Sequence, residues 1–129
     1  MLFAVNERDP RPLYEQLVSQ VKQAVAAGTL MPEEELPSVR ELGDTLGINL
    51  HTVHKAYRQL HAEGIIHMRL GRRAKIAPPR EKPISPRIAR NALLPRINEL
   101  VADAFHMRVS PDDFRAMVEQ ALTHKGGHT

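Results

Sequence analysis

Cysteine and tryptophan are absent from this chain of 129 residues. Without thiols there is no disulfide framework, no thiolate metal site and no cysteine nucleophile, and a reducing, cytoplasmic setting is expected. Other aromatics are scarce. Two tyrosines and three phenylalanines make a thin core, and burying apolar surface against a second copy of the chain would thicken it. No apolar run approaches the roughly 18 residues of a membrane span, and Met1–Val5 is too short for a signal peptide, so no membrane partner is expected. A glycine-rich phosphate loop, a G-x-S-x-G elbow and an H-E-x-x-H pair are all missing. The chain is therefore not read as an enzyme, and no cofactor is assigned.

Charge is present but uneven. The whole chain carries a net +3 with a sequence pI near 9.6. The segment Leu36–Ala77 holds seven Lys/Arg against three Asp/Glu, whereas Met1–Glu35 nets −3 and Pro78–Thr129 nets +2. A basic excess confined to one segment suits a phosphate-binding surface.

That segment opens on L-P-S-V-R-E-L-G-D-T-L-G-I-N-L-H-T-V-H-K-A-Y-R-Q-L, residues 36–60. Pro37 keeps Leu36 extended, so a helix can begin only after it. Ser38 is a good N-cap, and Glu41 three residues on completes a capping box. Val39, Leu42 and Leu46 mark one apolar face, and Gly47 supplies a left-handed end. Ile48 plugs the turn and Asn49 caps the next helix. Its inner face is Val53, Ala56, Tyr57 and Leu60; its outer face carries His51, Thr52, His54, Lys55 and Arg58. Two helices around a Gly occur in many small helical domains, but with a polar, basic second helix they describe a helix-turn-helix.

Around it the chain reads as mainly α with a small β-hairpin. Met1–Asp9 lacks periodicity and is expected to be an extended arm. Asp9 or Arg11 flanks the start of a first helix, with Pro12 in its first turn and Tyr14, Leu17, Val18, Val21 and Val25 on one face. It ends near Gly28. Thr29–Glu35 reads as a connector, its glutamates a solvated turn. After Gly64, Ile65, Ile66 and Met68 precede R-L-G-R-R and A-K-I-A, two short strands around a Gly turn, which would form a wing. Two regions follow from this reading: 1–78, a winged helix-turn-helix, and 79–129, a linker and short helical tail. Pro78, Pro79, Pro83 and Pro86 form the semi-rigid linker. Leu94, Ile97, Val101, Ala104 and Phe105 then repeat with helical spacing, and Pro95 starts or kinks that helix. Ser110, Pro111 and Asp113 open another helix, on which Phe114, Met117, Val118, Ala121 and Leu122 form a clean apolar stripe. His124–Thr129 is expected to be frayed. The two stripes cannot both be buried against each other, and the remainder points to a partner rather than to the winged helix of the same chain.

The runs P-L-Y-E-Q-L-V, L-P-S-V-R-E-L and N-L-H-T-V-H-K-A-Y-R-Q-L-H-A-E-G-I-I, in that order, resemble the GntR family of bacterial transcription regulators. The K-A-Y run and short tail look most like its YtrA-type subfamily. The resemblance covers Arg11 to Ala77. It implies a first helix packed behind the helix-turn-helix, and a short helical tail that dimerises; the apolar stripes read from spacing put Ile97, Val101, Phe105, Phe114, Met117, Val118, Ala121 and Leu122 at that contact. It nominates Ser38 and Arg40 at the start of the second helix, Asn49, His51, Thr52 and His54 around the start of the third, and Gly71 with Arg72 in the wing as DNA contacts. Lys55, Arg69 and Arg73 are added from charge alone. Departures from the family are visible too. An arginine common after the cap is Leu50 here, a second wing glycine is Arg73, and Lys75 replaces an aromatic. The 52 residues after Ala77 are too few for the aminotransferase-like or large ligand-binding domains of other members.

Seven histidines invite a metal, and His51 with His54 has chelating spacing, but no carboxylate stands beside them and no metal is assigned. The favoured expectation is a homodimeric transcription regulator, a repressor, on a palindromic operator in double-stranded DNA. The competing one is a winged-helix adaptor docking on an acidic protein. A small-molecule effector would have to fit the tail or the dimer interface, and the sequence names none.

Overall fold

A computed structural model describes the backbone of residues 3–126 and the side chains of residues 3–123. The backbone divides into two units, Met1–Pro79 and Arg80–Thr129.

In the first unit, helix α1 spans Leu13–Ala26. Pro12 stands at its N-cap without a side-chain bond, and its carbonyl accepts from Glu15 and Gln16 N–H at 3.1 and 3.2 Å. Asp9 does not cap the helix. It accepts from the Arg11 backbone and guanidinium, and the guanidinium holds its carboxyl below its ordinary value. At the other end Gly28 turns left-handed (φ 79°), and Thr29 N–H closes back on the Ala24 carbonyl at 2.9 Å.

Of the arm expected to be extended over Met1–Asp9, residues 3–6 are free of turns; residues 7–9 turn, with Asp9 N–H on the Asn6 carbonyl at 3.1 Å, and two glutamines on α1 hold the arm. The Gln16 amide accepts from Asn6 N–H at 2.9 Å and donates to the Asn6 carbonyl at 3.0 Å. Gln20 makes the same two-way exchange with Ala4. Each primary amide thus stands in for a peptide group of a neighbouring strand. Gln16 is 3% exposed, yet fully satisfied.

Helices α2 (Val39–Leu46) and α3 (Leu50–Ala62) follow, then strands β1 (Ile66–His67) and β2 (Lys75–Ile76). The strands pair antiparallel, Ile66 opposite Ile76 and His67 opposite Lys75. The connector expected to be a solvated turn does turn at Pro32–Glu33 with its glutamates exposed, and its backbone also bonds to the two-stranded sheet. Glu33 N–H donates to the Ile76 carbonyl, Ile76 N–H to Glu34, and Leu36 N–H to Ala74, all at 2.8–2.9 Å. A bridge joins Glu35 to Lys75. The three glutamate side chains stay exposed while their backbones pair.

One core unites these elements. Leu17, Val18 and Val21 of α1, Leu42 of α2, Val53, Ala56, Tyr57 and Leu60 of α3, and Ile66 and Ile76 of the sheet are buried together with Leu30 and Leu36. The expected inner face of α3 is buried throughout. Ile48, Val39 and Leu46 are only half-buried at its margin.

The second unit contains helices α4 (Pro86–His106) and α5 (Pro111–Gly126). The linker is shorter than the prolines suggest. Pro86 takes the first helical position, where its missing N–H is harmless, so α4 begins well before Leu94. Pro95 lies inside the helix and neither starts nor ends it. Arg108 turns left-handed (φ 61°) and Val109 N–H returns to the Ala104 carbonyl, closing α4. Ser110 Oγ then accepts from Asp113 N–H at 3.1 Å to open α5. The frayed end expected at His124–Thr129 falls largely outside the described residues: α5 is described to Gly126, and residues 127–129 are not. Among the described helices none is long and apolar enough to cross a membrane.

Candidate nucleic-acid interface

The reading element is assembled by local chemistry. Ser38 Oγ accepts from Glu41 N–H at 3.0 Å at the start of α2. The capping box stops there, because the Glu41 carboxylate is bound by Arg73 of the wing. Gly47 adopts φ 68°, and Ile48 N–H returns to the Gly43 carbonyl at 3.0 Å, turning the chain. Gly43 is buried under that turn; a Cβ there would stand 3.2 Å from the Ile48 carbonyl oxygen. An alanine there would require the turn to give by a few tenths of an ångström. Asn49 Oδ1 accepts from His51 N–H at 2.8 Å and begins α3.

With Val53, Ala56, Tyr57 and Leu60 turned inward, the opposite face of α3 must turn to solvent. His51, His54, Lys55 and Arg58 are exposed there, and Thr52 is half-buried. Tyr57 is the exception that is both core and polar. Its hydroxyl donates to the Pro37 carbonyl at 2.7 Å, and burial, with the nearby Glu41 charge, pushes it above its ordinary pKa.

The wing continues the same surface. Its loop, Met68 to Ala74, tightens at Gly71 (φ 75°), with Arg72 N–H on the Arg69 carbonyl at 3.1 Å. Leu70 at the tip is completely exposed. A cleft of about 350 Å³ separates the start of α2 from the wing, lined by Ser38 and Val39 on one side and Arg69, Arg72 and Arg73 on the other.

The sequence-nominated residues fall into two groups. Ser38, Arg40, Asn49, His51, Thr52, His54, Arg69, Gly71 and Arg72 lie along α2, α3 and the wing, and among the described residues Arg40, Arg69 and Arg72 form no ion pair. Lys55 and Arg73, chosen for charge alone, are engaged within the fold. Lys55 Nζ sits 4.0 Å above the Tyr14 ring of α1, and Arg73 meets Glu41 and, at 3.9 Å, Glu35. Two exposed cations were not nominated, Arg58 and Lys75, and neither has an acidic partner among the described residues. Helical spacing finds Arg58: it stands four residues beyond His54 on the outward row. Lys75 could be found only once the register with His67 is known. Among the described residues no group of three or more His, Cys, Asp or Glu could hold a metal ion.

In the second unit, Ile97, Val101 and Phe105 are exposed along α4, Phe105 at 74%. Met117, Val118, Ala121 and Leu122 are exposed along α5, and Phe114 is half-buried. Nothing in α4 is buried. Contiguous open apolar side chains of this kind mark an interaction surface more often than a solvated face.

Comparison with known proteins fits this geometry. Residues 13–76 match the family described as bacterial regulatory proteins, gntR family. The HTH-type transcriptional repressor YtrA of Bacillus subtilis is 41% identical over 71 residues, 55% of each chain, so the chain spans about half the length of that curated relative. Among solved structures, YtrA from Sulfolobus acidocaldarius, a GntR-family transcription factor, superposes with a TM-score of 0.63 at 32% identity, over 79% of this chain and 99% of that one. A transcriptional antiterminator from Listeria monocytogenes superposes with a TM-score of 0.82 at 28% identity, over 93% of this chain and 89% of that one.

Proposed function

The chain belongs to the GntR family of bacterial regulatory proteins, and from that premise we propose that it is a transcription regulator, a repressor, that binds a palindromic operator in double-stranded DNA as a homodimer. The observation that carries the reading is the set of exposed cations on α2, α3 and the wing: among the described residues Arg40, Arg58, Arg69, Arg72 and Lys75 form no ion pair. Exposed cations without ion pairs suit phosphates, and an outward α3 suits the major groove.

Repression is carried over from the Bacillus relative, whose name describes a repressor. The homodimer is supported by the second unit, whose apolar stripes would be covered by the same stripes of another copy in a two-fold interface. Two reading heads held about 34 Å apart would match a palindrome, and each weak half-site contact would assist the other.

Selection of duplexes from a random pool by the full chain tests this. The expected result is an inverted repeat bound with an affinity that falls linearly in log salt, by about 0.9 per phosphate contacted. A winged helix acting as an adaptor for an acidic protein would select no duplex.

A further inference from the structure

We infer that Arg73 is a positioning residue: it straps the wing to α2 through Glu41 and to the segment ahead of α2 through Glu35, and it does not itself contact DNA. This rests on the DNA-binding reading above and assigns one of its cations a different task.

The wing has little to hold its tip in place. Each strand contributes two residues, and between Met68 and Arg73 the described backbone bond is Arg72 N–H to the Arg69 carbonyl. Arg73 lies where the loop returns to the sheet. Its terminal NH₂ donates to Glu41 in the first turn of α2, and its Nε stands 3.9 Å from the Glu35 carboxylate. The wing therefore meets the first turn of α2, and the bridge residue six positions ahead of Glu41, at one guanidinium. A planar fork can address two carboxylates from different directions, which an ammonium on a flexible stem cannot do as well.

Two further observations point the same way. Glu41 occupies the position from which it could reach back to the Ser38 N–H, yet its carboxylate is turned across to the wing. And the Arg73 charge is met by two carboxylates, unlike Arg69 and Arg72 beside it, which form no ion pair among the described residues.

The strap and the direct contact predict opposite signs for one substitution. If Arg73 touches phosphate, Glu41→Gln frees it and removes a repelling charge, so binding tightens. If Arg73 is a strap, Glu41→Gln loosens the wing, and preference for the selected operator over a scrambled duplex falls by about fivefold, the most a well-formed exposed pair supplies. Arg73→Lys, which keeps the charge, should lose a similar part of that preference while the salt slope stays unchanged. The reversed pair, Glu41→Arg with Arg73→Glu, should recover much of it.

Amide hydrogen exchange over residues 69–74 of the full chain supplies a readout without DNA. Glu41→Gln should speed exchange there and leave α1 and α3 unaltered. Unaltered exchange in the wing, or an Arg73→Ala chain whose salt slope drops by about 0.9, overturns the strap. If the parent chain selects no duplex, the DNA-binding reading fails, and the exchange result still decides whether the strap exists.

Discussion

The Tyr57 hydroxyl reaches the Pro37 carbonyl at 2.7 Å, across 20 residues of sequence. It ties the middle of α3 to the residue just ahead of the α2 cap. The angle between the two helices is thus held at the open side of the pair as well as at the Gly47 turn. Pro37 has no N–H of its own to offer, but its carbonyl is free to accept because α2 begins only beyond Ser38.

Tyr57→Phe keeps the buried ring and removes this bond, so it should lower stability by about 1 kcal/mol. It should also change the alkaline limb. The folded state raises the hydroxyl's pKa, so the contribution is intact below the unfolded value near 10 and is lost as pH rises beyond it. Denaturation followed from pH 8 to 11 should show the parent losing its advantage over the Phe variant. Parallel curves would mean that the hydroxyl titrates alike in both states.

Leu60 sits at the bottom of the core with no exposed surface. Leu60→Ala should cost about 2–5 kcal/mol through lost transfer energy and the cavity left behind. A thermal midpoint within a degree or two of the parent would contradict the packing described for this face.

Arg40 is exposed in the first turn of α2 and has no ion-pair partner among the described residues. Arg40→Ala should weaken operator binding by about 1–3 kcal/mol if it pairs bidentately with a guanine. Lys55→Ala serves as the contrast. Its ammonium rests on the Tyr14 ring, so it should lower thermal stability by about 0.5–1 kcal/mol and leave the salt slope nearly intact. A slope that shallows as much for Lys55 as for Arg40 would show that Lys55 leaves the ring for phosphate.

Removal of everything after Pro79 leaves the first unit with its whole core. The truncated chain should sediment as a folded monomer and bind DNA weakly and with little selectivity. Phe114→Asp with Val118→Asp in the full chain should act similarly by placing charges in an apolar contact. A truncated chain that still dimerises would locate the interface in the winged helix.

What was legible in the sequence was local. Ser38, Gly47 and Asn49 announce helix ends through residues that bond or bend within four positions, and the phase of Val53, Tyr57 and Leu60 sets which side of α3 is buried. The backbone pairing of Glu33–Leu36 with the sheet is hidden because only the backbone takes part, and a row of exposed glutamates carries no period-two pattern to detect. The task of Gln16 and Gln20 was hidden for a related reason. An i, i+4 pair of amides on a helix looks like a solvated face until the arm lies across it. Arg73 and Lys55 looked like free charges because their partners lie on other elements, in the case of Glu41 and Arg73 across 32 residues. Pro86 was read as part of a linker because proline serves equally as a breaker and as a first helical residue.

The absence of any buried side chain in α4 has a consequence for dosage. Helices that bury nothing within their own chain draw their order from association, and on the homodimer reading that order grows as the square of the chain concentration when chains are few. Halving the supply would then leave about a quarter of the assembled form. Such a regulator would release its sites sharply as growth dilutes it, with no signal beyond its own scarcity.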